Sequence, residues 1–227
     1  MLLRADQISK TFFRKTGEAN YFHAVCPLSL TLAPETMTVL MGRSGSGKTT
    51  LLNMLCGILA PSEGRVRLDD TDLYSLKDPA LSRLRNERFG VVPQARSAVD
   101  TLTVWENILL PSRLYGRPAP EKMARGWMEA LEIAPLADAL PKELSGGELR
   151  RMAIVRALAQ APDVLFADEP TGDLDDESTG KVLTALAAYA HEQKKAVILS
   201  THEDEAVQYA DRFFRMDKGR LCEQPKP

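Results

Sequence analysis

Apolar residues along the chain change their spacing twice. Up to residue 32 they fall on alternate positions, with Leu3 and Ile8 early and then Leu28, Leu30 and Leu32 separated by polar partners, and the pattern pauses at a polar loop over 17–20. This spacing predicts an antiparallel β-region, with Phe12, Phe13 and Phe22 competing for its core. A continuous apolar run at 37–41 predicts a buried strand, and residues 49–55 predict a helix stopped by Gly57. A turn at 61–64, a short strand at 65–68, a helix end over 81–88 and a strand at 89–94 follow.

From 95 to 162 the spacing becomes helical. Val104, Ile108 and Leu109 share one face, as do Met123, Trp127, Ala130 and Leu131, while Pro111, Pro118, Pro120, Pro135 and Pro141 cut the run into short helices. Trp105 and Trp127 read as packing residues. A further helix begins after 145, with Leu149, Met152, Ala153 and Ala157 as its buried stripe. Buried strands return at 164–167 and 196–199, separated by a helix near 177–192 with Val182, Leu183, Leu186, Ala187 and Ala190 on one face. The expectation is one α/β unit spanning 1–227: residues 1–94 and 161–227 form a core with an antiparallel β-subdomain, and 95–160 form an inserted helical subdomain.

Composition narrows the classes of function. At 227 residues the chain can bury one sizeable core. Twenty-nine basic against 31 acidic residues leave a formal charge of −2 without a basic stretch, which argues against a nucleic-acid partner. Cys26, Cys56 and Cys222 form neither a disulfide framework nor a zinc pair and read as free thiols in a reducing compartment. No apolar run approaches the ~18 residues that span a bilayer, and the amino end lacks the order of a signal peptide, so a cytoplasmic chain able to dock on a membrane protein is expected.

Between the strand at 37–41 and the helix at 49–55 stands Gly42-Arg43-Ser44-Gly45-Ser46-Gly47-Lys48-Thr49-Thr50. Its glycines let successive backbone N–H groups turn into one concavity, and the helix start adds its positive dipole end. A triphosphate fits there, with Lys48 reaching the outer phosphates and the Thr49 hydroxyl holding Mg²⁺. This is a P-loop, in the strand–turn–helix setting that motif requires. Asp168 and Glu169 follow the strand at 164–167, where two adjacent carboxylates are costly to desolvate unless they serve a cation or a reacting water. Ser145-Gly146-Gly147-Glu148 reads as a capping box, yet two glycines in a first helical turn make more sense where a backbone approaches a ligand. Gln94 and His202 stand at strand ends; taken alone, the glutamine reads as a surface residue and the histidine as a structural one. His23 and His191 carry no functional reading.

Taken in order, the segments at 42–49, 94, 145–148, 164–169 and 202 resemble the nucleotide-binding subunit of the ABC (ATP-binding cassette) transporters over essentially the whole chain. Leu144-Ser-Gly-Gly-Glu148 is similar to the signature sequence of that family, with Glu148 where glutamine is usual. The resemblance implies a P-loop NTPase (RecA-like) core, ATP hydrolysis with Mg²⁺ and a homodimer that sandwiches ATP. It further implies a membrane permease as partner and a place on the cytoplasmic face of the cell membrane. It implies that Gln94 senses Mg²⁺, Asp168 is a magnesium ligand, Glu169 the catalytic base, Asp175 the D-loop aspartate and His202 the switch histidine. Phe12 would match the aromatic residue that stacks on adenine. Within the family, residues 169–175, 53–57 and 102–108 are most similar to the ATPases of lipoprotein-releasing and macrolide-exporting systems. The apolar residues Val99, Leu102, Val104, Trp105, Ile108 and Leu109 then suggest a groove for a cytoplasmic helix of the permease. An ATPase of the same type that regulates a membrane complex without transport, as in cell division, is the other implied role.

Overall fold

The computed structural model describes residues 2–16 and 18–225, with residues 14–16 and 18–20 described by their backbone alone. β1 (Leu3–Thr16) and β2 (Glu18–Leu32) form a long antiparallel hairpin. The stretch expected as a loop at 17–20 is paired instead, Thr16 opposite Glu18 and Arg14 opposite Asn20; Gly17 lies outside the described residues. β3 (Thr36–Met41) leads into α1 (Lys48–Leu55), and β4 (Glu63–Leu68) and β5 (Thr71–Asp72) then complete an antiparallel sheet in the order β2-β1-β4-β5.

After α2 (Asp78–Arg88) and β6 (Phe89–Val92) come the helices α3 (Val104–Leu114), α4 (Glu121–Ala130) and α5 (Gly146–Ala159). The chain closes with β7 (Val164–Asp168), α6 (Asp176–Glu192), β8 (Ala196–Thr201), β9 (Arg212–Asp217) and β10 (Arg220–Gln224). The second sheet runs β10-β9-β3-β8-β7-β6, parallel throughout except for β10 at one edge.

Strand alternation divides the interior into two cores. Met37, Val39, Leu165, Ala167, Val197 and Leu199 face the side covered by α3 to α6. Leu40, Val164, Phe166, Ala196 and Ile198 face α1 and, beyond it, the antiparallel sheet. α1 is therefore held between two sheets through Leu51, Leu52, Met54 and Leu55, which fixes the loop ahead of it.

Three further expectations are corrected. α4 buries Ala124 and Met128, one position on from the predicted face, and leaves Met123 and Ala130 exposed and Trp127 half-buried; only Leu131 of the predicted set is fully buried. The ring of Trp127 reaches round to meet Tyr189 edge-on, at 6.0 Å between centroids. α5 has no single stripe: Met152, Ala153, Ile154, Val155, Ala157, Leu158 and Ala159 are all buried, because α3 and α4 cover one side and β6 another. Val104, Ile108 and Leu109 lie in the core and offer no surface to a partner; of the six residues suggested for a groove, Val99 is exposed and Leu102 and Trp105 are half-buried.

At the opposite end of the parallel sheet from the P-loop, Asp163 joins three strand starts. It accepts from Arg88, which precedes β6, and from Lys195, which precedes β8, at 2.7 Å. Burial works against the Asp163 carboxylate, but the hydrogen bonds from Lys195 and Arg88 outweigh it and hold the carboxyl below its ordinary value of 3.8. Asp163→Ala is expected to lower unfolding stability at pH 7 by about 1–2 kcal/mol, the value of a charge-assisted pair discounted for partial exposure. A depressed pKa stabilises above the unfolded value and is lost as pH falls through the folded one, so the difference should shrink below about pH 4. Urea denaturation of both proteins at pH 7 and pH 3 checks this; an equal difference at both would count against an ionic origin.

Candidate active site

β8 lies between β3 and β7, with Met41 opposite Thr201 and Asp168 opposite Ser200. The loops leaving all three strands therefore emerge at one carboxyl edge, where ligands of open parallel sheets bind. The first loop is glycine-rich. Gly47 caps α1 at φ 109°, and an added Cβ there would meet the Ala24 carbonyl at 2.2 Å, so only glycine fits. No side chain caps α1, and its first ladder bond runs from the Leu51 amide to the Gly47 carbonyl at 2.9 Å. The amides of its first turn thus have no carbonyl ahead of them, which suits an anion. Ser46 presents a buried hydroxyl without a partner among the described residues.

Around this loop is a cavity of about 390 Å³ lined by Ser44, Gly45, Ser46, Gly47, Lys48, Thr49, Thr50, Gln94 and Glu169. Its far wall is Phe12, Phe22, His23, Ala24, Lys218 and Gly219. Phe12 stacks on Phe22, with ring centroids 5.8 Å apart and planes at 30°, whereas Phe13 points to the opposite side against Tyr21. Gly42 and Arg43 turn their carbonyls to the Lys48 ammonium, which donates at 2.6 and 3.3 Å.

Glu169 is where the separate segments meet. Its Oε2 accepts from Gln94 Nε2 at 3.0 Å, and its Oε1 lies 3.8 Å from Lys48 Nζ and 3.7 Å from His202 Nδ1. The residue sits at φ 49°, a left-handed conformation uncommon outside glycine, held by its N–H bonding to Ser200 O at 3.0 Å. Asp168 points elsewhere: it is buried, accepts from the Ser200 hydroxyl, and with Thr49 and Gln94 lines a second cavity of about 230 Å³. These donors are oxygens and an amide, which suit a hard cation such as Mg²⁺.

Ser145, Gly146, Gly147 and Glu148 head α5. Among the described residues that line the P-loop cavity none comes from this group; Gly146 instead borders a cavity of about 210 Å³ between residues 93–98 and Asp173. The capping box is complete. Ser145 N and Oγ donate to Glu148 Oε2 at 2.7 and 2.8 Å, and Glu148 N donates back to Ser145 Oγ at 3.3 Å. Those bonds hold the Glu148 carboxyl below its ordinary value. Asp175 caps α6, and the amide and hydroxyl of Ser178 lower its pKa likewise.

Phe22, His23, Lys218 and Gly219 were not among the predicted residues. The 217–220 turn reads as a hairpin, but its approach to the P-loop, through Gly219 N donating to Ser46 O at 2.9 Å, has no local signal. His191 bonds to Asp211 at the surface, and Cys26, Cys56 and Cys222 are free. Among the described residues no helix is long and apolar enough to cross a membrane.

Residues 25–172 match the family described as ABC transporter. The chain is 35% identical over 224 residues to a lipoprotein-releasing system ATP-binding protein, LolD, of Bdellovibrio bacteriovorus, covering 96% of this chain and 99% of that one. It is 36% identical over 222 residues to a macrolide export ATP-binding/permease protein, MacB, of Brucella abortus, covering 97% of this chain and 34% of the relative. It spans 61% of the length of an uncharacterized ABC transporter ATP-binding protein of Mycobacterium tuberculosis, to which it is 35% identical over 202 residues, 88% of this chain. The dimeric structure of the ABC transporter cassette MJ0796 superimposes with a TM-score of 0.89 at 31% identity, covering 97% and 98% of the two chains; a post-hydrolysis dimer of the same cassette, bound to ADP and Pi, matches equally well. On this fold and these likenesses, the chain belongs to the ABC transporter family.

Proposed function

We propose that this cassette hydrolyses ATP as a nucleotide-sandwich homodimer and thereby moves a membrane permease from the cytoplasmic face of the membrane. The observation that carries the reading is the convergence of Lys48, Gln94 and His202 on Glu169 beside the P-loop. The amides from Gly42 to Thr50 and the Lys48 ammonium would bind the phosphates, with Phe12 stacked on the adenine. Thr49, Asp168 and Gln94 would hold Mg²⁺, which when bound neutralises charge on the β- and γ-phosphates. Glu169 orients and deprotonates the attacking water, and His202 holds the γ-phosphate side of the site. Ser145, Gly146 and Gly147 reach the nucleotide of the second copy, with Glu148 fixing their turn and Asp175 bordering the same interface. Residues 1–94 and 161–227 act as the catalytic core and 95–160 as the helical arm. Regulation of a membrane complex without transport would use the same ATPase.

The permease, on this reading, meets the apolar positions that the fold leaves exposed on the helical arm. Val99→Asp together with Met123→Asp should abolish permease-stimulated ATPase and leave nucleotide affinity intact; unchanged stimulation would remove these positions from the interface.

Phe12→Ala should weaken ATP binding by about 1–2 kcal/mol, as loss of an aromatic–base stack does, and Phe13→Ala should leave it unchanged. Isothermal titration of both variants decides, and the reverse pattern would move the base to the other face of the hairpin.

Glu169→Gln keeps the side-chain shape and removes a charge that repels the γ-phosphate. Turnover should fall by about 10²–10⁴, the usual contribution of a positioned general base, while ATP binding survives. The variant should therefore run as a dimer on size exclusion with MgATP and as a monomer with MgADP. Asp168→Asn should lose magnesium-dependent binding and give no trapped dimer. A Glu169→Gln protein that stays monomeric and turns over at the wild-type rate would refute both the base and the sandwich.

A further inference from the structure

The segment after β6 that carries Gln94 has no regular structure over 93–97, so its carbonyls depend on side chains. Two arginines of α5 supply the partners. Arg156 donates through Nη1 to Ser97 O at 2.7 Å and through Nη2 to the Ser97 hydroxyl, and burial pushes its guanidinium below the ordinary arginine range. Arg150, nearer the head of the helix, donates through Nη1 to Pro93 O at 2.8 Å and through Nη2 to Gln94 O at 2.9 Å. One planar fork therefore holds two successive carbonyls, an arrangement that the single ammonium of a lysine cannot reproduce.

The Gln94 side chain in turn donates to Glu169 Oε2 at 3.0 Å. An unbroken path of hydrogen bonds thus runs from α5 through Arg150 and the Gln94 backbone to the Glu169 carboxylate. α5 begins at Gly146, and from Met152 onward it is packed on several sides, with Met152, Ala153, Ile154, Val155, Ala157, Leu158 and Ala159 all buried, which ties its far half to the core. Arg156 anchors the far end of the segment at Ser97, and Arg150 holds the end that carries Gln94.

We propose that Arg150 is a positioning residue for Glu169, acting through Gln94. It ties hydrolysis at one protomer's nucleotide to the helix whose head covers the nucleotide of the other. The proposal rests on the sandwich reading and on the role of Gln94 given above. It assigns to Arg150 no contact with nucleotide, so ATP affinity of the isolated chain stays as it is, and only the geometry of the base is altered.

The test is a double-mutant cycle with Arg150→Met, which keeps the aliphatic stem, and Gln94→Ala. Arg150→Met should lower kcat by about tenfold to a hundredfold, the scale of a displaced reacting group, with the Kd for ATP within about twofold of wild type by titration calorimetry. Gln94→Ala should lower kcat comparably, and the double variant no further than Gln94→Ala alone. Arg150→Lys, which retains charge and bulk without the fork, should show a smaller loss in the same non-additive pattern and serves if the methionine variant folds poorly. Losses that multiply in the double variant would overturn the proposal and leave the role of Gln94 standing. A Gln94→Ala protein with wild-type turnover would remove Gln94 from catalysis and the proposal with it, whatever the Glu169→Gln dimer shows about the sandwich.

Discussion

The site depends on the placement of β8 between β3 and β7. Parallel pairing sets Met41 beside Thr201 and Asp168 beside Ser200, and from that register the P-loop, the paired carboxylates and His202 leave the sheet at adjacent points. Ser200 is fully buried and serves both neighbours: its hydroxyl donates to Asp168, and its carbonyl accepts the Glu169 amide. With Asp168 held down into the sheet, the chain must turn sharply to bring Glu169 over the P-loop. The left-handed φ of 49° at Glu169 is that turn, and a non-glycine residue held there costs of the order of 1–3 kcal/mol. The buried strands around it supply the stability that keeps such a conformation populated.

The same logic explains why the helical arm shares its core with the sheet. α5 packs on β6 as well as on α3 and α4, and the apolar cluster on that side of the sheet runs without a break from Val39 and Val197 through Val155 and Leu158 to Ile108 and Met128. α5 is therefore packed directly on β6, whose end leads into the segment carrying Gln94. An arm on a separate core would have no such packing against the sheet that carries the site.

Legibility in the sequence followed the range of the interactions. The P-loop, the capping box at 145–148 and the strand preceding Asp168 rest on residues a few positions apart, and they lie where periodicity and local chemistry place them. α4 was displaced by one position because Trp127, taken as a buried anchor, reaches Tyr189 from the edge of the core while Ala124 and Met128 fill the interior. Val104, Ile108 and Leu109 looked available to a partner because nothing local shows that α5 lies on top of them. Phe22, His23, Lys218 and Gly219 join the P-loop cavity only through long-range approach, the bond from the Gly219 amide to Ser46 linking residues that no spacing rule connects. Arg150 and Arg156 read as polar positions of an amphipathic helix, since carbonyl partners more than fifty residues away leave no trace in composition.

The paired glycines at the head of α5 show how a capping motif and a ligand site occupy one turn. A helix opens with amides that no preceding carbonyl can satisfy. Here Glu148 N bonds to the Ser145 hydroxyl, Ser145 N bonds to the Glu148 carboxylate, and Leu149 N begins the ladder on Ser145 O at 3.0 Å. The two amides that this box does not use belong to Gly146 and Gly147. At Gly147 an added Cβ would lie 3.1 Å from the Leu174 Cδ2 methyl, a tight contact that Leu174 would have to yield to by a few tenths of an ångström. At Gly146 it would meet nothing nearer than Asp173 Cβ at 3.8 Å, so packing within the chain makes no such demand. Alanine would strengthen the helix there by up to about 1 kcal/mol. Packing within the chain therefore does not account for glycine at 146, and its amide edge is left bare at the head of the helix. Glu148 fits the same account. Its carboxylate is turned back onto Ser145, so its charge stabilises the positive end of its own helix.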